Sequence, residues 1–216
     1  IDIKEDGSFH LNLEYFNFIS GLTMTSNKMN ELFDCFPRKP EEPITQQYMD
    51  LARSIQEICQ EVVLKTANHI KKRTQQQNLC MAGGIALNCV ANGELVKSSI
   101  FEKIWIQPAA GDAGGALGAA LAVWYQFLEM PRNKIKYDIK DIVYNGPEFA
   151  DVEIKYFLKE NNIIFQQISN PEKIAANAII KQHVVGWFQG QMEFGPRALG
   201  NRSIIGDARS DTMQKI

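Results

Sequence analysis

Apolar and polar positions alternate on both sides of Asp6-Gly7 in IDIKEDGSFHLNLEYF. That is the pattern of a β-hairpin closed at an Asp-Gly turn. Residues 22–44 are polar, with Pro37, Pro40 and Pro43, and predict a loop with a short helix at most. From Thr45 to Arg73 the period changes. Tyr48, Leu51, Ala52, Ile55, Ile58, Cys59, Val62, Val63, Ala67 and Ile70 recur at spacings of three and four, the core-facing stripe of one long amphipathic helix. Lys71, Lys72 and Arg73 put cations at its negative end.

A compact alternation follows. NLCMA (78–82) reads as a short strand ended by Gly83-Gly84, and a helix is expected over about 86–98. KIWIQP (103–108) is a second strand, and the turn AAGDAGG leads into a helix over about 114–129. Strands and helices joined by short links predict parallel strands with a right-handed crossover. Both glycine turns then lie at the carboxyl edge of one sheet, where open α/β sheets bind ligands. The Lys-rich MPRNKIKYDIKDIVYNGP (130–147) marks a boundary. Beyond it the rhythm returns, with a helix over about 148–160, the strand IIFQQI (163–168), a helix opened by Ser169-Asn170-Pro171 as cap and first-turn proline, and the strand HVVGWFQG. The fold class is α/β.

Composition narrows the picture without changing it. At 45% apolar and 22% charged, the 216-residue chain has the makings of a packed core in one large or two small domains. A net charge of -2 leaves no basic surplus for phosphate neutralisation, which argues against nucleic acid as a partner. Cys35, Cys59, Cys80 and Cys89 form no CxxC pair and read as buried free thiols of a reducing cytoplasm. No apolar run reaches the ~18 residues that a membrane span requires, and no signal peptide is visible. The chain opens on Ile1 within a strand pattern and closes on SDTMQKI, which resembles the first turn of a helix, so the sequence reads as an internal fragment.

Three stretches carry candidate chemistry. In AGGIALN, Gly83 and Gly84 let a ligand approach the backbone, and Asn88, one turn into the helix, offers an amide to a base, ribose or phosphate. A tight strand-to-helix turn without a ligand accounts for the same spacing. In QPAAGDAGGALGAAL, Asp112 stands alone among small residues. It is either a hard oxygen ligand for a cation or ribose hydroxyl, or the cap of the helix beginning at Ala113. In GPRALGNRS, Arg197 and Arg202 supply guanidinium forks, and Asn201 and Ser203 add neutral hydrogen bonds, a combination that favours an anion site over a solvated turn. His10, His69 and His183 are scattered, and no complete metal site can be built from the chain. Asp207 and Arg209 read as a local surface pair.

Taken together, LCMAGGIALNCVANGEL, IWIQPAAGDAGGALGAAL and GQMEFGPRALGNRSIIGDAR resemble the carbamoyltransferase family that includes nodulation-factor and antibiotic O-carbamoyltransferases. The resemblance runs from DGSFHLNLEYF to the end, on three long motifs in the family's order. It implies that residues 1–140 are the C-terminal lobe of an actin-like ATPase (ribonuclease H-like) domain and residues 141–216 the beginning of a YrdC-like domain. It also implies ATP and carbamoyl phosphate as co-substrates, joined as carbamoyl adenylate. The acceptor would be a small hydroxylated molecule, a sugar or natural product. Gly83, Gly84, Asn88, Gly114, Gly115, Asn201 and Ser203 are then expected at the nucleotide, Arg197 and Arg202 in catalysis, and Asp112 on a divalent metal, commonly iron, whose other ligands lie outside the chain. The family's HxxxH-type histidine pair is absent here, so the chain alone is expected to be inactive. A sugar-kinase-like phosphotransferase would leave GPRALGNRS without a role, and a non-catalytic nucleotide-binding module would suit the missing histidines. A cytoplasmic location is expected, and a homodimer stays open.

Overall fold

The hairpin, the long helix and the first strand-helix-strand unit all form where the hydrophobic pattern puts them. The computed structural model describes residues 1–132 and 142–213. The chain divides into two units, Ile1–Met81 with Ile85–Ile106, and Ala82–Gly84 with Gln107–Ile216. The domain boundary expected between residues 140 and 141 lies outside the described residues.

In the first unit, β1 (Asp2–Ile3) pairs antiparallel with β2 (Phe9–His10). Gly7 turns the hairpin at φ +84°, and a side chain there would strike Thr66 of the long helix. The polar stretch holds a seven-residue helix, α1 (Asn27–Phe33). Helix α2 (Gln46–Thr74) begins after Thr45 and ends on Lys71, Lys72 and Arg73, with Gln75 closing it in the left-handed conformation. Strands β3 (Asn78–Met81) and β4 (Lys103–Ile106) run parallel, with Leu79 opposite Ile104 and Cys80 opposite Trp105. Between them lies α3 (Cys89–Lys97).

Alternation along β3 and β4 gives one covered face. Leu79, Met81 and Ile104 pack with Val63 and Leu64 around a core of Ala67, Leu95 and Phe101. Leu95 is fully enclosed, so truncation to alanine should cost about 2–5 kcal/mol. The opposite face carries Cys80 and Trp105 and is exposed. The cysteines are all free, as expected, but none is buried: Cys35 and Cys59 are half-buried, and Cys80 and Cys89 exposed. Cys80 is exposed because it points off the uncovered face.

The second unit departs further from expectation. Helix α4 (Ala113–Ala122) widens into a π-helical turn over Val123–Phe127, which together cover most of the expected helix. Helix α5 (Asp151–Glu160) starts with the Ala150 N–H donating to the Glu153 carboxylate. Helix α6 (Pro171–Ile180) opens as its sequence predicts, Asn170 accepting the Lys173 N–H at 3.0 Å with Pro171 in the first turn. The expected strand at 163–168 does not form. These residues are exposed and find no ladder partner among the described residues. Alternation selects a face, but a strand also needs a neighbour to receive its backbone groups. The last pair, β5 (Val185–Phe188) with β6 (Arg202–Ile205), is antiparallel, so the described part of this region does not repeat the parallel unit. Mixed helices and small sheets place the chain with α/β architecture at the level of class. Among the described residues, no helix is long and apolar enough to cross a membrane.

Candidate functional site

The chain leaves β3 through Ala82–Gly84 and β4 through Gln107–Asp112, and both turns belong to the second unit. The Gly83 N–H donates to the Ala110 carbonyl at 2.7 Å, which fastens one turn to the other. Within the second turn, Ala109 and Ala110 are buried. Gly83 sits at φ +98°, a conformation that glycine adopts without strain. Side chains added at Gly83, Gly84 or Gly115 would meet nothing within 4 Å, so backbone is bare at all three. Gly114 differs from its neighbour: a methyl group there would overlap the Ala109 carbonyl.

Asp112 stands at the N-cap of α4 with helical backbone angles, φ -57° and ψ -34°, and its side chain makes no capping bond. A capping carboxylate requires extended backbone to reach the helix N–H groups, so this one makes no cap and stays exposed. Among the described residues, no group of three or more His, Cys, Asp or Glu is placed to hold a metal ion. One carboxylate does not make a metal centre.

Asn88, in the first unit, does not lie one turn inside its helix. A 3-10 turn over Gly84–Leu87 delays the helix start and makes Asn88 the N-cap of α3. Its Oδ1 accepts the Ala91 N–H at 3.1 Å. The same amide pairs reciprocally with Gln56 of α2, at 2.9 Å and 3.2 Å.

The stretch 195–203 covers the second half of the connection between β5 and β6 and the first two residues of β6, and its polar groups are mostly engaged within that connection. Glu193, only 6% exposed, lies at the centre. Its Oε1 accepts N–H bonds from Leu199 at 2.7 Å, Asn201 at 2.8 Å and Arg202 at 3.3 Å. Burial alone would raise this carboxyl's pKa. The N–H groups of Asn201, Leu199, Glu193 itself and Arg202 outweigh burial and bring it down to about 2. The backbone donors that could cradle an outside anion already hold this one.

Arg202 is equally committed. Its guanidinium donates to the carbonyls of Gln189 at 2.6 Å, Asn201 at 2.9 Å, Gly190 at 3.1 Å and Pro147 at 3.2 Å. It also lies over the Phe188 ring, 3.5 Å from the centroid. Asn201 Nδ2 donates to Gln191 O at 2.7 Å, and Ser203 Oγ accepts the Gly200 N–H at 3.1 Å. Tyr144 Oη donates to Leu199 O at 2.8 Å, and Gly195, at φ +138°, presses against Pro108 and Ala109. Arg197 alone among the loop's charged residues is exposed with no hydrogen bond or ion pair to the described residues. Thus Gly83, Gly84 and Gly115 leave open space beside their backbone and Asp112 and Arg197 present exposed side chains, whereas Asn88, Asn201, Arg202 and Ser203 are engaged within the fold.

Sequence reasoning missed Glu193. Its signal was a single carboxylate between Met192 and Phe194, an apolar setting that an ionised group tolerates only with partners. Asp207 was misjudged as a surface residue. It accepts Arg209 Nε at 2.9 Å, Arg209 NH2 at 2.8 Å and Gln182 Nε2 at 3.0 Å while only 5% exposed. The Arg209 side-chain bonds hold its carboxyl far below the usual carboxylate range.

Comparison with known proteins finds two matching family models, the carbamoyltransferase N-terminus over residues 1–121 and the carbamoyltransferase C-terminus over residues 176–216. An uncharacterized protein of Synechocystis is 50% identical over 100% of this chain and 36% of its own length. Nodulation protein NolO of Bradyrhizobium diazoefficiens is 41% identical over 80% of the chain and 31% of its own length. The 3'-hydroxymethylcephem-O-carbamoyltransferase of Streptomyces clavuligerus is 31% identical over 61% of the chain and 23% of its own length. The chain therefore spans about a third of the Synechocystis relative. With the N-terminal model matching more than half of its residues, the chain belongs to the carbamoyltransferase family.

Proposed function

We propose that the whole protein is an ATP-dependent carbamoyltransferase acting on a hydroxyl group of a small molecule. Carbamoyl phosphate, ATP and one water would yield carbamoyl adenylate, phosphate and pyrophosphate. Attack by the acceptor hydroxyl on the carbamoyl carbon then forms the carbamate ester, releases AMP and frees the hydroxyl proton. Adenylation suits the chemistry, because a carbamoyl carbonyl is a poor electrophile and AMP is a good leaving group. The observation that carries this reading is Arg197, an exposed guanidinium without partners among the described residues, beside N–H groups of Leu199, Asn201 and Arg202 that are taken by Glu193. A planar cation held on a fixed loop suits a phosphate oxygen whose charge grows as groups transfer.

In this reading, the bare backbone at Gly83, Gly84 and Gly115 accommodates the nucleotide, and Arg202, Asn201 and Ser203 shape the phosphate loop. The corresponding domain assignment is an actin-like ATPase lobe over 1–140 and a YrdC-like beginning over 141–216. Asp112 would give one oxygen to a divalent metal, iron by family resemblance. The described residues alone do not make that site, so no step is assigned to a metal. The named activity of the Streptomyces clavuligerus relative supports a hydroxylated acceptor.

The test uses full-length protein with ATP, carbamoyl phosphate, iron and a panel of hydroxylated acceptors. AMP and a carbamoylated product are expected. Release of ADP would favour a kinase-like phosphotransferase, and absence of ATP turnover would favour a non-catalytic nucleotide-binding module.

A further inference from the structure

Residues 189–201 connect β5 to β6, a hairpin connection long enough to collapse in many ways, and N–H groups of its second half and of the first residue of β6 gather on a single carboxylate. Three N–H groups, from Leu199, Asn201 and Arg202, converge on Glu193 Oε1. Glu193 is held in turn by its own strand-like surroundings: the Phe194 N–H donates to Val143 O at 2.7 Å, and the Met192 N–H to Pro147 O at 3.1 Å. The loop's outer side is closed by the Arg202 guanidinium on four carbonyls. Neighbouring N–H groups that converge on one oxygen in this way make an anion-binding nest, the Gly200 N–H between them going to Ser203 Oγ instead. Here the anion is part of the chain, so the nest is filled and the loop takes one shape. Arg197, between Gly195 and Gly200, is the charged side chain left outside that closure.

We propose that Glu193 is a positioning residue: its carboxylate fills the nest of the 195–203 loop and thereby fixes Arg197 where it can receive the phosphate of an incoming donor. The division of labour is specific. An internal carboxylate supplies order, and the external anion is met by a side chain instead of by the loop's backbone. The second half of the proposal rests on the carbamoyltransferase reading above, whereas the first half does not.

The charge of Glu193 is what distinguishes this role from simple packing. In Glu193→Gln the side chain keeps its length and one carbonyl oxygen but loses the charge that attracts three donors. Glu193→Met keeps the length and removes the acceptor, and Glu193→Asp keeps the charge but falls one methylene short. The experiment uses full-length protein and two measurements. Trypsin cleavage of the Arg197–Ala198 bond under native conditions reports loop order without reference to activity. Steady-state kinetics with carbamoyl phosphate and ATP report the consequence for the anion.

Cleavage is expected to rise roughly tenfold in Glu193→Gln and further in Glu193→Met, with Glu193→Asp between Glu193→Gln and wild type, as expected for a lost charge-assisted bond. KM for carbamoyl phosphate should rise by a similar factor while KM for ATP moves little. Equal cleavage rates in wild type, Glu193→Gln and Glu193→Met overturn the proposal. Faster cleavage with an unchanged KM for carbamoyl phosphate also overturns it, because loop order would then be irrelevant to the anion. A wild-type protein that never turns over ATP would instead remove the functional reading. The cleavage series alone then decides whether Glu193 fixes the loop.

Discussion

Two glycine-rich stretches of the second unit use similar residues to opposite effect. Around Gly83, Gly84 and Gly115 the backbone is bare, and an added side chain would meet nothing within 4 Å. Around 195–203 the backbone is occupied: Gly195 lies against Pro108 and Ala109, the Gly200 N–H is held by Ser203 Oγ, and the N–H groups of Leu199, Asn201 and Arg202 are taken by Glu193. Glycine and arginine in close order therefore mark unusual backbone, not open binding capacity. What separates the two regions is a carboxylate within reach. Among the described residues the first has no carboxylate accepting from its N–H groups, and Asp112 is exposed and makes no capping bond; the second has Glu193 buried at its centre.

The largest effect that could break this contrast concerns the two loop arginines. Removing a single donor that acts on developing charge typically slows catalysis by about 100- to 1,000-fold. Arg197→Ala should show a loss of that order in kcat/KM for carbamoyl phosphate, with a stability change within about 0.5 kcal/mol because it is exposed and makes no hydrogen bond or ion pair to the described residues. Arg202→Ala should show the reverse emphasis. It strands four carbonyls and uncovers Phe188, a loss of about 2–3 kcal/mol for charged hydrogen bonds. Lysine at 202 would recover little, since one ammonium cannot reproduce the planar fork. Urea unfolding and steady-state kinetics on both variants check this. Arg197→Ala with wild-type kinetics would end the distinction.

Adjacent glycines sharpen it next. Gly114→Ala drives a methyl group into the Ala109 carbonyl, an overpacking cost of about 1–3 kcal/mol. Gly115→Ala meets open space within α4 and should stabilise the fold by up to about 1 kcal/mol through helix propensity. If the nucleotide lies along this backbone, Gly115→Ala will weaken ATP binding even though the protein melts later. Calorimetric titration of ATP beside thermal melts separates the two effects.

The filled loop also has a pH signature. Glu193 is held at about 2 in the folded protein, below the ordinary value of roughly 4.3 in an unfolded chain. A depressed carboxyl contributes stability above its unfolded pKa and loses that contribution as pH falls through the folded value. The stability gap between wild type and Glu193→Gln should thus be constant from pH 7 to about 5, then narrow towards about pH 2. Asp207, depressed chiefly by the Arg209 side chain, should behave the same way in Asp207→Asn. Urea midpoints measured across that range test both. A gap that widens on acidification would contradict the placement of charge at the loop centre.

How much of this could be read beforehand depended on how local each cause was. The α2 stripe, the β3–α3–β4 unit and the Asn170-Pro171 helix start follow from periodicity and from caps acting over a few residues, and the structure has them. IIFQQI carries a strand pattern, yet its partner is not written in the hexapeptide, and the ladder does not form among the described residues. The polarity of GPRALGNRS was legible, but the direction of each polar group was not. Arg202 and Arg197 look alike in sequence, and only the carbonyls at 147, 189, 190 and 201 tell them apart. Glu193 was hidden for the same reason, since one carboxylate acquires its meaning from N–H groups up to nine residues away.

Asn88 provides the smallest test and the finest discrimination. Its Oδ1 caps α3 through the Ala91 N–H, and its amide pairs with Gln56. Asn88→Ala should cost about 1 kcal/mol, the usual loss for an N-cap, with a small addition for the half-buried Gln56 amide left without its partner. Asn88→Asp keeps the capping acceptor and should recover most of the stability, because a carboxylate also suits the positive end of the helix. The two roles considered for Asn88 then diverge. If it serves only as a cap, Asn88→Asp binds ATP as wild type does. If its N–H2 also contacts the nucleotide, Asn88→Asp loses that donor and sets a negative charge near phosphate, so ATP affinity falls while the melting temperature holds.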